Sequence, residues 1–388
     1  MNKKHFTRVL MPQIEQALFR GKVIIIYGPR QIGKTTLSKD LLKQHGDISG
    51  YFNCEEPSVR TALINKDSEQ IMAFLGNEQP LVVLDEAQSV PDIGVILKRV
   101  IDAAPKFQIV VTGSSSFELA DKTSEPLTGR KEEFLLSPLS IEETTGYAEA
   151  VLQKTIEEQL VYGAYPEVVG QTSLKEKVHA LRNISSSYLY KDVLIHENIK
   201  SPELLDKLLL QLAFQIGDEV SYNDLASAVG VDKNTIQRYI SLLEKCYVVF
   251  RLSPLTRNRP DEIRKLRKVY FYDNGIRNAI ISNYNPLERR NDVEALWENF
   301  LAAERLKAER NHDLLVKNYY WRTHRNAEID WVEEYDGVLH PYEFQWSKSE
   351  VNLRSSTEFL YSYQGSPSVS VVSPENIKKF LETAPSDY

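Results

Sequence analysis

Apolar residues in the first third of the chain form short continuous runs, separated by segments in which apolar residues recur at helical spacing. The runs cover residues 23–27, 81–84, 109–111 and 134–136, and each is followed by a small or polar residue. An unbroken apolar run of about five residues is typical of a strand buried on both faces of a parallel sheet. Because the intervening segments have the period of helices, the pattern predicts a doubly wound α/β fold over residues 21–140.

The rest of the chain follows three further patterns. Residues from about 150 to 215 have helical spacing throughout. Residues 205–275 predict a helix, a short glycine turn, a second helix and then two strands, and after residue 290 a helix precedes three strands. We therefore predict an α/β protein of four domains, with limits at residues 1–145, 146–205, 206–285 and 286–388.

Composition narrows the class of protein. A chain of 388 residues with 42% hydrophobic residues is long enough for several domains, and no apolar run reaches the roughly 18 residues that a membrane span needs. Cys54 and Cys246 lie in apolar contexts, which favours buried thiols in a reducing compartment. We expect a cytoplasmic protein with no membrane partner. The net charge of −7 excludes wholesale coating of nucleic acid but allows a local basic surface.

A phosphate-binding loop follows the first apolar run. The segment fits the pattern GxxxxGK[ST], lies between a predicted strand and a predicted helix, and is therefore expected to be a P-loop. Its backbone N–H groups and the helix N-terminus would bind the phosphates of ATP. Lys34 would reach the β- and γ-phosphates, and Thr35 would bind Mg²⁺. The predicted nucleotide-binding residues are Gly28, Pro29, Arg30, Gln31, Ile32, Gly33, Lys34, Thr35 and Thr36.

Candidate catalytic residues follow the later strands. Asp85 and Glu86 end the second long run in the Walker B form, in which the first acid holds Mg²⁺ and the second polarises the attacking water. Ser114 or Ser115, after the next strand, would bridge the γ-phosphate and the water, and the sequence does not decide between them. Arg130 precedes the last strand, where oligomeric ATPases place a residue that completes a neighbour's site in trans. A surface salt bridge is the alternative for Arg130.

These motifs resemble a family of prokaryotic AAA+ ATPases with GPRQ-type P-loops and a C-terminal domain of unknown function. The resemblance rests on residues 27–37, 84–88 and 112–115, and extends to residues 127–130, 162–167, 190–192 and 296–300. It implies an AAA+ core that binds and hydrolyses ATP with Mg²⁺. It also implies that the helical residues 146–205 form the small lid that follows the sheet in such proteins.

Residues 206–285 predict a winged helix-turn-helix domain. Ser221 caps a first helix, a Val–Gly–Val turn follows, and Asp232 caps a second helix. A basic loop joins the two predicted strands of the wing, and with the strand ends it carries Arg251, Arg257, Arg259, Arg264, Lys265, Arg267 and Lys268. On double-stranded DNA the second helix would enter a groove and the wing would contact phosphates, through Lys233, Arg238, Arg257 and Arg259. The alternative is that the winged helix binds proteins or packs as a lid.

The last domain is similar to the PD-(D/E)xK nuclease core. An acid on a helix and acids on two strands match the metal ligands of that core, here Glu298, Asp330 and Glu343. Gln345 stands where the pattern has lysine, so the positive charge of the pattern is missing. Three interpretations stay open: a metal-dependent nuclease, a nuclease-like fold kept for binding DNA or protein, and a chance match of strand acids.

Two classes of function follow from these observations. In the first, ATP binding and hydrolysis are coupled to DNA binding through the winged helix and a nuclease-like domain that is either active or inactive. In the second, the protein is a regulatory ATP switch that acts through protein partners and homo-oligomerisation, without DNA. A plain transcription factor would leave the intact Walker B motif unexplained.

Overall fold

The computed structural model describes residues 4–76, 79–113, 123, 126–196, 202–256, 266–347 and 352–382, and the side chains of residues 187–196 fall outside this description. Contacts within the chain define two units. The first comprises Met1–Pro138 with Tyr190–Asn198 and Lys245–Tyr247. The second comprises Leu139–Leu189, Ile199–Glu244 and Val248–Tyr388.

The sheet of the first unit has five strands, all parallel, in the order β2-β3-β4-β1-β5. Its strands are β1 (Val23–Tyr27), β2 (Tyr51–Asn53), β3 (Leu81–Asp85), β4 (Gln108–Gly113) and β5 (Lys131–Leu135). Strands β1, β3 and β4 are buried along their whole length, whereas the two edge strands are largely half-buried. This confirms the parallel α/β sheet that the apolar runs predicted.

Helices join the strands of the first unit. They are α1 (Met11–Ala17), α2 (Lys34–His45), α3 (Pro57–Leu63), α4 (Ser68–Leu75) and α5 (Ile93–Ala103), with short 3₁₀ turns at Ile48–Gly50 and Ala87–Ser89. Helix α5 buries Ile93, Leu97 and Val100 along one face, as its spacing requires. These side chains join those of β1, β3 and β4 in one hydrophobic core.

Eleven described helices begin in the second unit. They are α6 (Ile141–Thr145), α7 (Glu149–Tyr162), α8 (Pro166–Val169), α9 (Leu174–His196), α10 (Pro202–Phe214), α11 (Tyr222–Val229), α12 (Lys233–Lys245), α13 (Asn274–Ile280), α14 (Val293–Asn311), α15 (Leu353–Ser362) and α16 (Ile377–Glu382). A 3₁₀ turn lies at Leu287–Arg289. Within the described ranges, no helix is both long and apolar enough to cross a membrane.

A close backbone approach fixes the end of α7 against the start of α13. Gly163 has a φ of 72°, and a Cβ atom there would lie 2.0 Å from Oδ1 of Asp273. The same carboxyl accepts hydrogen bonds from the backbone N–H of Ala164 (2.7 Å) and of Ile276 (3.1 Å). The glycine is therefore required, because any side chain would displace the acid that caps α13.

One mixed sheet of seven strands crosses the second unit, in the order β12-β11-β10-β9-β7-β8-β6. Its strands are β6 (Glu219–Val220), β7 (Val249–Pro254), β8 (Arg267–Phe271), β9 (Lys317–Arg322), β10 (Glu328–Tyr335), β11 (Val338–Phe344) and β12 (Ser370–Val372). Strand β7 pairs in parallel with β9 through Ser253–Tyr319 and Pro254–Tyr320. The strands predicted for the wing and those predicted for the last domain thus belong to one sheet. The four predicted domain limits stay predictions.

Candidate functional site

The loop between β1 and α2 can be built only with glycine at its first position. Gly28 has a φ of 147°, and a Cβ atom there would lie 2.2 Å from the carbonyl oxygen of Leu136 and 2.5 Å from Cδ1 of Ile32. Gly33, with a φ of 97°, is the N-cap of α2. The nine predicted nucleotide-binding residues therefore form one tight turn and the first turn of a helix. This arrangement directs helix N–H groups and the positive end of the helix dipole toward the loop.

Lys34 lies within this loop. Its amine donates to the carbonyl oxygens of Gly28 (2.8 Å) and Pro29 (2.9 Å), and the residue is only 5% exposed. These bonds tie the ammonium group to the loop's own backbone. To reach a phosphate, Lys34 would exchange these two carbonyl oxygens for phosphate oxygens. A buried cation with two neutral acceptors favours that exchange because an anion is the stronger partner.

Arg8, which sequence reasoning missed, stabilises the P-loop through hydrogen bonds to its backbone and to the segment after β5. Its guanidinium donates to the carbonyl oxygens of Ile32 (2.9 Å) and Ser137 (2.6 Å) and is almost fully buried. It thereby joins the P-loop to the segment that follows β5. No local pattern marks this arginine, since its partners lie 24 and 129 residues away in sequence.

Asp85, at the end of β3, receives hydrogen bonds from three hydroxyl groups. Thr35 and Tyr51 both donate to Oδ2, at 2.7 Å and 2.5 Å, and Thr112 donates to Oδ1. Burial and the bond to Asp85 raise the pKa of Tyr51, so its hydroxyl stays protonated and donates. A carboxylate next to a threonine hydroxyl is an oxygen donor set that suits Mg²⁺. Thr35 and Asp85 would hold the ion, as the Walker motifs predict.

Glu86 follows Asp85 in a left-handed backbone conformation, with a φ of 51°. Its N–H donates to the hydroxyl oxygen of Thr112 (3.1 Å), and its carboxylate Oε2 accepts from Nε2 of Gln88 (2.5 Å). Such a conformation is uncommon outside glycine and is maintained by these contacts. The carboxylate is therefore held at a defined place beside the P-loop, with one oxygen committed to Gln88.

Thr112 is a second residue that sequence reasoning missed. The prediction placed a polar contact at Ser114 or Ser115, and both lie outside the described residues. Thr112 is the next-to-last residue of β4, is fully buried, and contacts both Walker B acids. The signal was present in the sequence, since Thr112 is the first polar residue after the apolar run.

Arg130 lies just before β5, at the surface. Its Nε is 2.6 Å from Oδ1 of Asp102, and the two side chains are 41% and 44% exposed. Within the chain, Arg130 thus forms the surface salt bridge that was the alternative to a trans-acting role. The role in trans stays a prediction.

Helices α11 and α12 are joined by a tight turn in which Gly230 has a φ of 82°. The carboxylate of Asp232 accepts from the N–H groups of Asn234 (2.8 Å) and Thr235 (3.0 Å) and so caps α12. Lys233 and Arg238 are exposed on this helix. Arg257 and Arg259 lie outside the described residues. The contact of these four residues with DNA stays a prediction.

Two cations counted toward the basic wing have carboxylate partners instead. The guanidinium of Arg251 bonds to the carboxylate of Glu244 and to the hydroxyl of Tyr222 (3.0 Å). Lys268 is buried, with its amine 2.8 Å from Oε1 of Glu298 and 2.7 Å from Oε1 of Glu328. Neither residue is therefore available for DNA phosphates.

The acids of the nuclease-like pattern lie on α14, β10 and β11. Glu298 and Asp330 both face Lys268, whose amine is 3.9 Å from Oδ1 of Asp330. Burial and the charge of Glu298 raise the pKa of Asp330 to about 7. Burial lowers the pKa of Lys268, but Glu298 and its neighbours outweigh that effect and hold it well above its usual value.

Glu343 lies on β11 next to Phe344, whose N–H donates to Oδ2 of Asp330 (2.9 Å). Oε2 of Glu343 accepts from the N–H of Asn352 (3.2 Å), its Oε1 is buried without a hydrogen-bond partner among the described residues, and burial raises the pKa of the carboxyl. In the part of the chain that the structure describes, no three His, Cys, Asp or Glu side chains are grouped to hold a metal ion. The metal-binding role of Glu298, Asp330 and Glu343 stays a prediction.

Family models match three consecutive parts of the chain. Residues 20–145 match the AAA domain, residues 153–287 match the domain of unknown function DUF8612, and residues 293–382 match the domain of unknown function DUF4143. The first match confirms the AAA-type P-loop domain that the motifs predicted. A solved DNA polymerase III gamma subunit-related protein of Thermotoga maritima is 10% identical, with 61% of this chain and 99% of that chain covered, at a TM-score of 0.26. That score is too low to support a conclusion.

Curated relatives extend along most of the chain. The uncharacterized protein Rv2008c of Mycobacterium tuberculosis is 30% identical over 358 residues, which cover 91% of this chain and 76% of the relative. The uncharacterized protein MJ1637 of Methanocaldococcus jannaschii is 26% identical over 322 residues, which cover 72% of this chain and 67% of the relative. The chain therefore belongs to the same protein family as Rv2008c and carries an AAA domain at residues 20–145.

Proposed function

We propose that this protein binds and hydrolyses ATP in its AAA domain and that its nucleotide state controls binding to double-stranded DNA. The observation that carries the ATPase proposal is the grouping of Walker residues at one edge of the parallel sheet. There the P-loop, Thr35, Asp85 and Glu86 are linked through Thr112 and neighbouring hydroxyl groups.

Each Walker residue has a chemical part in this proposal. Lys34 and the N–H groups of residues 28–36 bind the phosphates, and Thr35 and Asp85 supply oxygen ligands for Mg²⁺. When bound, Mg²⁺ neutralises charge on the β- and γ-phosphates. Glu86 accepts a hydrogen bond from the attacking water and orients it toward the γ-phosphate. Gln88 keeps that carboxylate in place.

DNA binding is proposed through α12 and the segment that follows β7. The exposed Lys233 and Arg238 on α12 support it, because a capped helix after a glycine turn can present such cations to a groove. Arg257 and Arg259 would contact phosphates. With Arg251 and Lys268 paired internally, the proposed surface is smaller than the sequence alone suggested.

The C-terminal domain is proposed to be nuclease-like without cleaving DNA. Gln345 stands in place of the lysine of the nuclease pattern, and two of the three predicted ligand acids lie next to the ammonium of Lys268. The amine of Lys268 occupies carboxylate oxygens that a metal ion would need as ligands. We propose that this part of the chain serves binding.

A second candidate function is a regulatory ATP switch that works through protein partners and self-assembly, without DNA. The exposed Arg130–Asp102 pair favours it, since a surface arginine in this position could exchange Asp102 for the phosphates of a neighbouring copy. In that case ATP would promote homo-oligomers, and Arg130→Ala would lower hydrolysis without affecting nucleotide binding.

The deciding experiment is steady-state ATP hydrolysis with and without duplex DNA, at low and physiological salt. Glu86→Gln is the inactive reference. The double variant Lys233→Ala/Arg238→Ala tests α12. The double variant Lys378→Ala/Lys379→Ala is its control, because it also removes two exposed positive charges. Stimulation by DNA that disappears only in the α12 variant supports the proposal. A hydrolysis rate that DNA does not change at either salt concentration would contradict the proposed DNA binding. A rate that does not depend on Glu86 would contradict the proposed ATPase activity.

A further inference from the structure

Tyr51 contacts the Walker B aspartate, although no motif assigns it a role. It is the first residue of β2, which pairs with β3, the strand that carries Asp85. Its hydroxyl lies 2.5 Å from Oδ2 of Asp85. The same oxygen accepts the hydroxyl of Thr35 at 2.7 Å. Tyr51 and the magnesium-binding threonine therefore share one carboxylate oxygen.

The aromatic ring of Tyr51 contacts a cation of α2. The amine of Lys39 lies 4.4 Å from the ring centroid, at a distance that allows a cation–π interaction. Lys39 belongs to α2, the helix that begins with Lys34 and Thr35. Tyr51 thus bridges the helix of the P-loop and the strand of the Walker B acids. A ring that contacts Lys39 and whose hydroxyl donates to Asp85 holds that hydroxyl at a defined position.

Both carboxylate oxygens of Asp85 accept hydrogen bonds, from different donors. Thr112 occupies Oδ1, and Tyr51 and Thr35 occupy Oδ2, which can accept two bonds. Thr35 can offer a lone pair of its oxygen to a metal ion and still donate its O–H to Asp85. The bond from Tyr51 involves neither the P-loop nor the phosphates, so it can persist and hold the carboxylate in the same orientation.

We propose that Tyr51 is a positioning residue for magnesium, because its hydroxyl keeps Oδ2 of Asp85 directed to the place where Thr35 would share the ion. This inference rests on the proposed function, since it concerns the same nucleotide site. It assigns the hydroxyl a part in metal affinity and none in the binding of nucleotide alone.

The test is Tyr51→Phe, which removes the hydroxyl and keeps the ring beneath Lys39. The matched control is Tyr27→Phe, since Tyr27 is also a tyrosine of this sheet whose hydroxyl donates to a carboxylate, but to Glu133 (2.7 Å) instead of Asp85. Binding of a fluorescent ADP analogue is measured against Mg²⁺ concentration and again in EDTA. The readout therefore needs no hydrolysis.

The half-saturating Mg²⁺ concentration is expected to rise about tenfold in Tyr51→Phe, the effect of losing a hydrogen bond to a charged group. The affinity of Tyr51→Phe for the ADP analogue in EDTA should stay within about twofold of the wild-type value. In Tyr27→Phe, both this affinity and the half-saturating Mg²⁺ concentration should stay within the same range. Tyr51→His, which restores a donor on a flat ring, should recover part of the Mg²⁺ affinity. It also serves as the second variant if Tyr51→Phe does not fold.

Two results would overturn the inference. An unchanged Mg²⁺ requirement in Tyr51→Phe means that the hydroxyl does not position Asp85, and a lowered requirement means that it competes with the ion. Both are distinct from a failure of the proposed function. If the wild-type protein bound no nucleotide with or without Mg²⁺, the proposed function would fall, and this inference with it.

Discussion

The amine of Lys268 lies 2.8 Å from a carboxylate oxygen of Glu298, and both side chains are largely withdrawn from solvent. Lys268 belongs to β8 and Glu298 to α14, so the pair joins two elements 30 residues apart in sequence. The hydroxyl of Tyr270 donates to the same carboxylate oxygen at 2.6 Å. The same buried amine also faces Glu328 and Asp330, and Glu328 has a second cation in Arg322 (3.5 Å).

Replacing Lys268 with methionine is expected to destabilise the protein strongly. The substitution keeps most of the side-chain volume but leaves Glu298 and Asp330 without this cation, a change that costs about 3–5 kcal/mol in comparable buried pairs, whereas Glu328 keeps its pair with Arg322 (3.5 Å). Denaturant unfolding at neutral pH measures it. Lys378→Met is the matched control, because Lys378 is 55% exposed and its ion pair with Glu382 spans 3.8 Å. Equal stability of the two variants would show that the Lys268 pairs contribute little.

Gln88→Leu is expected to slow ATP hydrolysis while the KM for ATP stays near the wild-type value. Gln88 is buried and donates to the carboxylate of Glu86, so its loss leaves that carboxylate less well oriented toward water. A misplaced catalytic group of this kind lowers kcat by about 10- to 100-fold. Steady-state kinetics with Glu86→Gln as the lower limit measure the effect. A raised KM with normal kcat would contradict this role.

Thr112→Val removes a hydroxyl that serves both Walker B acids and changes little in shape. The N–H of Glu86 loses its acceptor and Oδ1 of Asp85 loses a donor. We expect a loss of kcat for ATP together with a fall of about 1–3 kcal/mol in the free energy of unfolding, since a buried donor is left unsatisfied. Thr112→Ser should retain both properties. If the valine and serine variants behave alike, the hydroxyl is not required.

Glu309 gives the protein a predicted pH dependence. It is 8% exposed, and burial together with the charge of Glu333 raises its pKa to about 8, against the opposing effects of Arg305, Asn318 and Arg310. The folded state therefore holds a proton that the unfolded state has already released. This contribution to the free energy of unfolding is full below about pH 4.5 and falls as the pH rises to about 8.

Glu309→Gln should remove that slope. The variant is expected to be more stable than the wild type at pH 8, and this gain should be much smaller at pH 5. The difference between the two gains should be a few kcal/mol, because each pKa unit corresponds to about 1.4 kcal/mol. Urea unfolding at the two pH values measures the difference. The exposed Glu203→Gln is the control. The same gain at both pH values would point to packing and not to titration.

The P-loop was predictable because all of its parts are contiguous. Strand, glycine turn, Lys34 and helix follow one another within twenty residues, and the backbone chemistry requires those residue types at those positions. The parallel sheet was predictable for a related reason, since burial on both faces leaves an unbroken apolar run in β1, β3 and β4.

The partners of the charged residues were not predictable. The basic excess around the wing was visible in the sequence, but the carboxylates that neutralise Arg251 and Lys268 come from α12 and from elements beyond residue 290. Tyr51 likewise meets Asp85 across 34 residues, where only strand order decides which side chains become neighbours. Local patterns do not contain strand order.

Strand β9 obtains one of its two neighbours from β7, which precedes it by more than 60 residues. A gene fusion or deletion that separated residues 206–285 from residues 286–388 would therefore leave an unprotected strand edge on each product, and such edges attract other chains. Residues 206–285 and residues 286–388 are therefore expected to self-associate when they are expressed as separate fragments.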